Sequence, residues 1–564
     1  KPCTAPGLDG LPVVFYKYCQ DVMLPLLARL YTAIGTLRCL PPGFSDGVII
    51  GIFKEGSNDP TVAASYRPIT LLNIDYRLLA RIMANRLQAV LDKAIAPTQT
   101  AFLKGRRIGQ NIITVQLLLN ALPDDSQMVA ALLDFTKAYD TIDRPFLLSV
   151  MSNMGVPADY CAWVSTLLTH THACGYMNGF KSPLREFFAG VRQGCPLSPL
   201  LYLFISEALL RFLKSKGIHV VVHGVRITAT QFADDTQVYL NSPADVPAFL
   251  AVMSRFGSAC GQQLNPSKSK LLLLGKHARQ QHAHLCSLHA SGSLLLKPVM
   301  QAEVLGVVVG ADSDAWLPPA DLAAQQAHHR VFWDKQINKV LDAFTRLAHL
   351  STLSVFGRGL GSAAYGIATM LFNAEFSDLP PDDMTALLTS KVAKLVDRAL
   401  APASHEHVFP GIEQHLLIGS PAEGGFGCLP WKQHILARHA WWGAKFVSAP
   451  IDTEIPWITI GRALLRSHCP WWGPLAVLDA ASTNQSPVIY PANTGGSLQR
   501  APQPLRRMIA GLQALGHVCD VVSLRPAPRQ QQQPQQLPLP ASSHEHAQLL
   551  AVPPTISSDF MPGL

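Results

Sequence analysis

The chain has 564 residues, 48% hydrophobic and 15% charged, with a formal net charge of +8. That length exceeds one ordinary domain and implies about two to four; the charge is compatible with a nucleic-acid partner but is too mild to establish one. Eleven cysteines, none in a CxxC pair, argue against a disulfide framework or a four-cysteine zinc site and for reduced intracellular thiols.

In chain order, turn signals (APGLDG, LPPG, KEGSNDP) separate apolar runs over the first sixty residues. Positions 13–37 read as helical and VIIGIF as a short strand. Residues 69–91 carry apolar side chains at helical spacing, with Arg77, Arg81 and Arg86 interleaved, and 110–122 is a second such helix. MVAALLDF (128–135) is an apolar run of strand length that closes on Asp134. PFLLSVMSNMGV, CAWVSTLLTH and the long apolar 196–215 segment read as helices, and VRITATQFADDTQVYL as two strands around ADD. VPAFLAVMSRFGSACGQQL is helical again; LLLL (271–274) and VLGVVVG (304–310) are strands. Beyond about residue 315 the pattern is almost wholly helical, and 525–540 is Pro/Gln low complexity expected to be disordered. The class is therefore α+β, with strands far apart in sequence. No uninterrupted apolar run is long enough to cross a bilayer, so no membrane partner is expected. A chain opening on Lys1 is expected to lack its natural N-terminus.

Asp134 ends one apolar strand, and Asp234 and Asp235 sit between two others. If those strands neighbour one another, three carboxylates converge at one sheet end. Oxygen ligands there suit a hard cation such as Mg²⁺, which keeps waters and binds substrate phosphates. Two such ions would activate an attacking hydroxyl and stabilise leaving pyrophosphate. An isolated ADD is otherwise a solvated turn.

Read in order, YRPIT (66–70), QTAFLKGRRIGQNI (99–112), LLDFTKAYDTIDR (132–144), GVRQGCPLSPLLYLF (190–204), FADD (232–235) and LNPSKSK (264–270) resemble the motifs of a reverse transcriptase of the non-LTR (LINE-type) retrotransposon kind. APGLDGLPVVFYK (5–17) resembles the block upstream, and LSTLSVFGRG (350–359) and EGGFGCLPW (423–431) resemble segments downstream. The resemblance implies a right-hand polymerase with fingers, a palm with an antiparallel sheet and a helical thumb, followed by a mostly helical C-terminal region. It divides the chain into an N-terminal extension of the fingers (1–34), fingers and palm (35–310), thumb and helical post-polymerase region (311–450), a region without assigned role (451–524) and a disordered tail (525–564).

By the same resemblance Asp134 and Asp234 match the metal-binding carboxylates, with the main-chain carbonyl of Phe135 completing a metal shell. Asp235 is the neighbouring motif acid in a supporting role. Tyr139 resembles the steric gate against a ribose 2′-hydroxyl, or is a core aromatic beside the site. Arg67 and Lys54 match basic positions that hold an incoming triphosphate, although Lys54 also fits an exposed turn. Gln193 and Gly194 resemble the block beneath the nascent base pair, where glycine permits close backbone approach. Arg192 is a template-phosphate contact or a surface residue. Lys268 resembles the lysine that protonates leaving pyrophosphate, with Lys270 as competitor. Lys104, Arg106 and Arg107 suit template phosphates, or form a solvated loop. Asp140 and Asp143 are expected to be structural, capping a helix.

The implied activity is RNA-directed DNA polymerisation with two Mg²⁺ ions, Mn²⁺ being a substitute. The implied partners are an RNA template, a DNA primer and deoxynucleoside triphosphates, and the implied location is the nucleus. The competing reading is a catalytically silent, nucleic-acid-binding transposon remnant lacking an upstream endonuclease domain. HAHLCSLH (282–289) has metal-binding composition but no zinc spacing.

Overall fold

The structure, a computed structural model, describes residues 5–54, 59–310, 322–350, 352–396, 417–450, 452–468 and 502–516. The expected Pro/Gln tail at 525–564 lies outside these residues.

The expected first helix is two, α1 (Val13–Tyr18) and α2 (Gln20–Leu37), broken at Cys19. Strand β1 (Gly47–Phe53) pairs antiparallel with β2 (Tyr66–Leu72), which corrects the helix expected from residue 69. The seven residues of β2 match Phe53 back to Gly47 one for one, and that ladder outweighs the helical spacing of its apolar residues. Helix α3 (Ile74–Ala94) begins only after Asn73, and α4 is Gly109–Ala121.

The chain continues as β3 (Val129–Leu133), β4 (Phe135–Thr136), α5 (Arg144–Asn153), α6 (Ala158–Leu168), β5 (Thr171–Met177), β6 (Phe180–Lys181), β7 (Arg185–Phe187) and α7 (Ser198–Ser215). Then come β8 (Val220–Val222), β9 (Val225–Ile227), β10 (Ala229–Phe232), β11 (Asp235–Leu240), α8 (Val246–Cys260), β12 (Gln263–Leu264) and β13 (Lys270–Leu273). Helices α9 (Lys276–Gln280) and α10 (His282–Ala290) lead to β14 (Lys297–Val299), β15 (Gln301–Val304) and β16 (Val307–Gly310). VLGVVVG is thus a hairpin and not one strand. Leu305 and Gly306, at φ +53° and +85°, make the two-residue turn whose left-handed residues match strand twist.

Two sheets organise this part. One runs β2-β1-β5-β6, with β7 also on β5; the other runs β10-β11-β3-β13-β14. The second is the expected palm sheet, antiparallel except that β14 joins β13 in parallel at the edge. Its centre, β3, is VAALL, apolar throughout because both its faces are covered. Helix α7 is apolar on nearly all sides and packs against α3, α5 and α8, a buried spine beside the sheet.

Beyond β16 the described elements are helical: α11 (Leu322–Ala348), α12 (Val355–Gly361), α13 (Ala368–Glu375), α14 (Asp382–Val396), α15 (Trp431–Ser448), α16 (Pro456–His468) and α17 (Gln503–Gly516). Helices α11, α13 and α14 share a core around Trp333, Phe344 and Leu388. In the region left without a role, α17 packs on α15 and α16 packs on α4, so the chain closes back on the half that holds the two sheets.

Candidate active site

The site starts from strand register. The last β3–β11 pair is Leu133 with Thr236; one step further, Asp134 comes level with Asp235. Asp234 lies between them and β10, in the two-residue turn Ala233–Asp234, with Ala233 at φ +56°. The strands are neighbours, and the three acidic residues therefore meet at one end of the central strand pair. Their charges are felt across that end. Burial raises the Asp234 carboxyl above its ordinary range, and Asp134 raises it further while Arg67 pulls it down. Asp235 is exposed as a residue, yet packing around its carboxyl, then Asp234 and then Asp134, push it up to about 6.

The main chain of Asp134 is clamped. Its N–H donates to Ser269 Oγ at 3.1 Å, and its carbonyl accepts from Asn265 N at 2.8 Å. Ser269 Oγ in turn donates to the Asn265 carbonyl at 2.8 Å. The LNPSKSK turn thus fixes the strand end, and exposed Lys268 stands on that turn. Lys270, also exposed, begins β13 opposite Leu132. The Phe135 ring is buried in the core, so only its main chain is available to the site.

Tyr139 stacks on Tyr202, ring centroids 4.5 Å apart and planes 21° apart. Gln262 donates to the Tyr202 hydroxyl at 3.0 Å and to the Ala138 carbonyl at 3.2 Å, holding that pair. Burial and the charge of Asp234 both raise the Tyr139 hydroxyl pKa, which places the ring beside the acids.

Arg67 is exposed on β2 opposite Ile52, and the Lys54 N–H continues the hairpin by donating to the Ser65 carbonyl at 2.8 Å. Lys54 and Arg67 are diagonal neighbours on one face of that hairpin. Gln193 and Gly194 dock on the same strand: Thr70 N–H donates to the Gln193 carbonyl at 2.8 Å. Gly194 has φ +113°, and a Cβ there would lie 2.3 Å from the Thr70 carbonyl oxygen. No other residue fits that position unstrained.

Two basic expectations are corrected. Arg106 points inward: its guanidinium reaches the Asp92 carboxylate and the carbonyls of Asp92, Ile95, Ala96 and Gln99, closing the end of α3. All five of its donors are spent. Arg192 donates to the Ser45 carbonyl and lies over the Tyr76 ring at 4.8 Å, a half-buried internal brace where a template-phosphate contact or a surface residue was expected. Lys104 and Arg107 are exposed on their loop. Asp143 caps α5 as expected, accepting from Phe146 N at 2.6 Å.

A buried amide network was not anticipated. Gln99, with no exposed surface, accepts from Ala233 N at 3.0 Å through Oε1. Its Nε2 donates to the Ala233 carbonyl at 3.3 Å and to Ser206 Oγ at 2.9 Å. Asn111 and Thr100 both donate to the Gln231 carbonyl, and Gln231 to the Ser206 carbonyl. Apart from Ser206 on α7, these residues lie within QTAF, GQNI and QFADD, where polar residues next to apolar ones were the available signal.

Among the described residues no three His, Cys, Asp or Glu side chains form a ready-made metal cage. HAHLCSLH is helix α10, with His282 and Cys286 one turn apart on its exposed surface. The acidic strand end nevertheless fits Mg²⁺ by donor chemistry. Two carboxylates and main-chain oxygen, completed by water and substrate phosphates, are its usual hard-oxygen shell. Mutually repelling carboxyls are what a divalent cation relieves.

A family model described as reverse transcriptase (RNA-dependent DNA polymerase) matches residues 52–309, from β1 to the β15–β16 hairpin. The chain carries a reverse transcriptase domain. This domain holds every strand described above except the first residues of β1 and the last of β16. It is similar to a 149 kDa protein of transposon TX1 from Xenopus laevis, 28% identical over 274 residues that cover 48% of this chain and 21% of that protein. The RNA-directed DNA polymerase from mobile element jockey of Drosophila melanogaster is 30% identical over 250 residues, 43% of this chain and 26% of that one. The Pol polyprotein of type-1 retrotransposable element R2 from Popillia japonica is 27% identical over 269 residues, 47% and 37% respectively. The chain thus spans between 21% and 37% of the length of these relatives. The non-LTR retrotransposon resemblance of the ordered motifs is borne out, as is the right-hand polymerase fold.

Proposed function

We propose that the chain is an RNA-directed DNA polymerase that adds deoxynucleotides to a primer 3′-hydroxyl on an RNA template. One observation carries the reading: Asp134, Asp234 and Asp235 share a strand end where Asp134 raises the proton affinity of Asp234 and both raise that of Asp235, with Tyr139 beside them and Arg67 within their field. The jockey relative, named as an RNA-directed DNA polymerase, supports it.

Asp134 and Asp234, with the Phe135 carbonyl, would hold two Mg²⁺ ions or Mn²⁺, which when bound offset triphosphate charge and acidify the primer hydroxyl. The protein groups do the rest. Arg67 and Lys54 bind the triphosphate from the fingers hairpin, Arg by its planar fork and Lys as a point charge. The Gln193–Gly194 segment, seated on β2 against Thr70, lies under the nascent pair. Tyr139, backed by Tyr202, crowds the sugar where a 2′-hydroxyl would sit. Lys268 delivers a proton to leaving pyrophosphate. A nuclear location belongs to the same proposal and rests on the resemblance alone.

The test is extension of oligo(dT) annealed to poly(A) with dTTP and Mg²⁺, by the wild type and by Asp234→Asn. Extension by the wild type and a drop of roughly a thousandfold in the variant, with template binding kept, is the expected result. A folded wild type that binds template without extending the primer would mark the silent remnant instead. An active Asp234→Asn would remove the metal role.

A further inference from the structure

The loop FLKGRRIG (102–109) meets a partner far away in sequence. Helix α4 opens on Gly109, where a Cβ would lie 2.4 Å from the Trp442 ring and 2.6 Å from the Phe376 ring. That bare backbone lets α15 sit directly on the loop. Trp441 and Lys445 come with it. The Arg107 guanidinium lies 3.7 Å from the Trp441 ring centroid, and Lys445 Nζ lies 5.2 Å from it. Lys445 also donates to the Gly105 carbonyl at 2.7 Å. Lys104 is exposed on the same loop.

Four cations from two segments are thus gathered with little to balance them. Among the described residues Lys104, Arg107 and Lys445 form no ion pair, and Asp92 is committed to Arg106. Burial, then Arg107 and Arg106, hold the Lys445 ammonium below its ordinary range. Like charges fixed at such range repel, and an anion between them removes the repulsion. Arg107 already lies over Trp441, so less side-chain entropy is lost when it takes an oxyanion than from a free arginine. Trp441 has one face covered by that stack and serves as a scaffold, which points to backbone recognition more than to base stacking.

We propose that this joint is a contact for the phosphodiester backbone of a nucleic-acid strand, built half by the GRR loop of the reverse transcriptase domain and half by α15 of the post-polymerase region. The proposal rests on the polymerase reading in taking nucleic acid as the partner. It goes beyond that reading in giving α15 a share in holding the strand.

The test uses the full chain without nucleotides and fluorescein-labelled single-stranded RNA and DNA 20-mers, followed by anisotropy across a KCl series. Arg107→Gln/Lys445→Gln is expected to weaken binding roughly tenfold at moderate salt. It should also flatten the slope of log affinity against log salt by about 1.4, two single-strand contacts at about 0.7 each. Trp441→Phe, which keeps a ring under Arg107, should retain most of the affinity. Gly109→Ala, which removes no charge but forces α15 away, should lose it. Loss with the RNA probe, the DNA probe or both supports the proposal and tells which strand sits there. Unchanged affinity and slope in the folded double variant would overturn it, as would competition by polyglutamate equal to that by unlabelled RNA. A wild type that binds RNA but extends no primer defeats the polymerase reading and leaves this contact standing.

Discussion

The side-chain amide of Gln99 holds both main-chain groups of Ala233, its Oε1 accepting from the N–H at 3.0 Å and its Nε2 donating to the carbonyl at 3.3 Å. Ala233 is the left-handed residue of the turn that carries Asp234. A residue from the loop before α4 therefore decides where a carboxylate over a hundred positions later comes to rest.

Gln99→Met keeps the volume and removes both bonds, together with those to Ser206 Oγ and from Ala101 N–H. Leaving the buried Ala233 groups unpaired costs about 1–3 kcal/mol, which in a chain of this size lowers the melting temperature by several degrees at most. Extension should fall more than tenfold while template affinity is kept. Melting curves beside primer-extension rates check this, and full activity in the folded variant would leave Gln99 as core filling.

Tyr139 makes its stack with a ring and not a hydroxyl. Tyr139→Phe should keep discrimination against ribonucleotides, and Tyr139→Ala should lose most of it. Relative kcat/KM for dTTP and UTP measures this directly. An unchanged ratio in Tyr139→Ala removes the gate assignment.

Neighbours on one basic loop should behave in opposite ways. Arg106→Ala uncaps the end of α3 and strands several buried carbonyls, a loss of about 2–4 kcal/mol. Lys104→Ala touches nothing internal and should leave stability within about 0.5 kcal/mol, while lowering the salt dependence of strand binding. Denaturant unfolding and an anisotropy salt series separate the two.

His439 is buried in α15, its Nε2 3.3 Å from the Ala374 carbonyl, and burial together with Arg507 holds its pKa down to about 4 against an ordinary 6.5. Between those values the unfolded chain binds the proton and the folded chain does not. Its contribution is therefore intact above about pH 6.5 and is lost as pH falls toward 4, up to about 3 kcal/mol. Melting temperatures at pH 7.5, 6 and 5 should fall progressively, and His439→Gln should flatten that fall.

Much of the polymerase half was legible in the sequence. VAALLDF and QFADDTQVYL announced strands by length and apolar character, and their acids proved to be level with one another because strand register is set residue by residue. YRPITLL misled because apolar spacing over so few residues cannot distinguish a strand from the start of the following helix; only its partner β1 decides. Arg106 and Arg192 read as solvent-facing cations because sequence shows charge without direction. Both turn inward to satisfy carbonyls at element ends, a need that exists only once the elements are built. Gln99, Asn265 and Ser269 were quoted within motifs yet given no role, since what they hold is main chain distant in sequence.

The close approach of Gly194 to Thr70 ties two tasks to one piece of backbone. Strand β2 presents Arg67 near one end and receives the Gln193 carbonyl near the other. In the proposed reaction, the spacing between Arg67, the cation for the triphosphate, and the surface under the new base is measured along three residues of a single extended strand, like marks on a ruler. Any shift in that strand displaces both marks together, so the proposed polymerase would keep its gauge for one nucleotide step even when the hairpin as a whole moves.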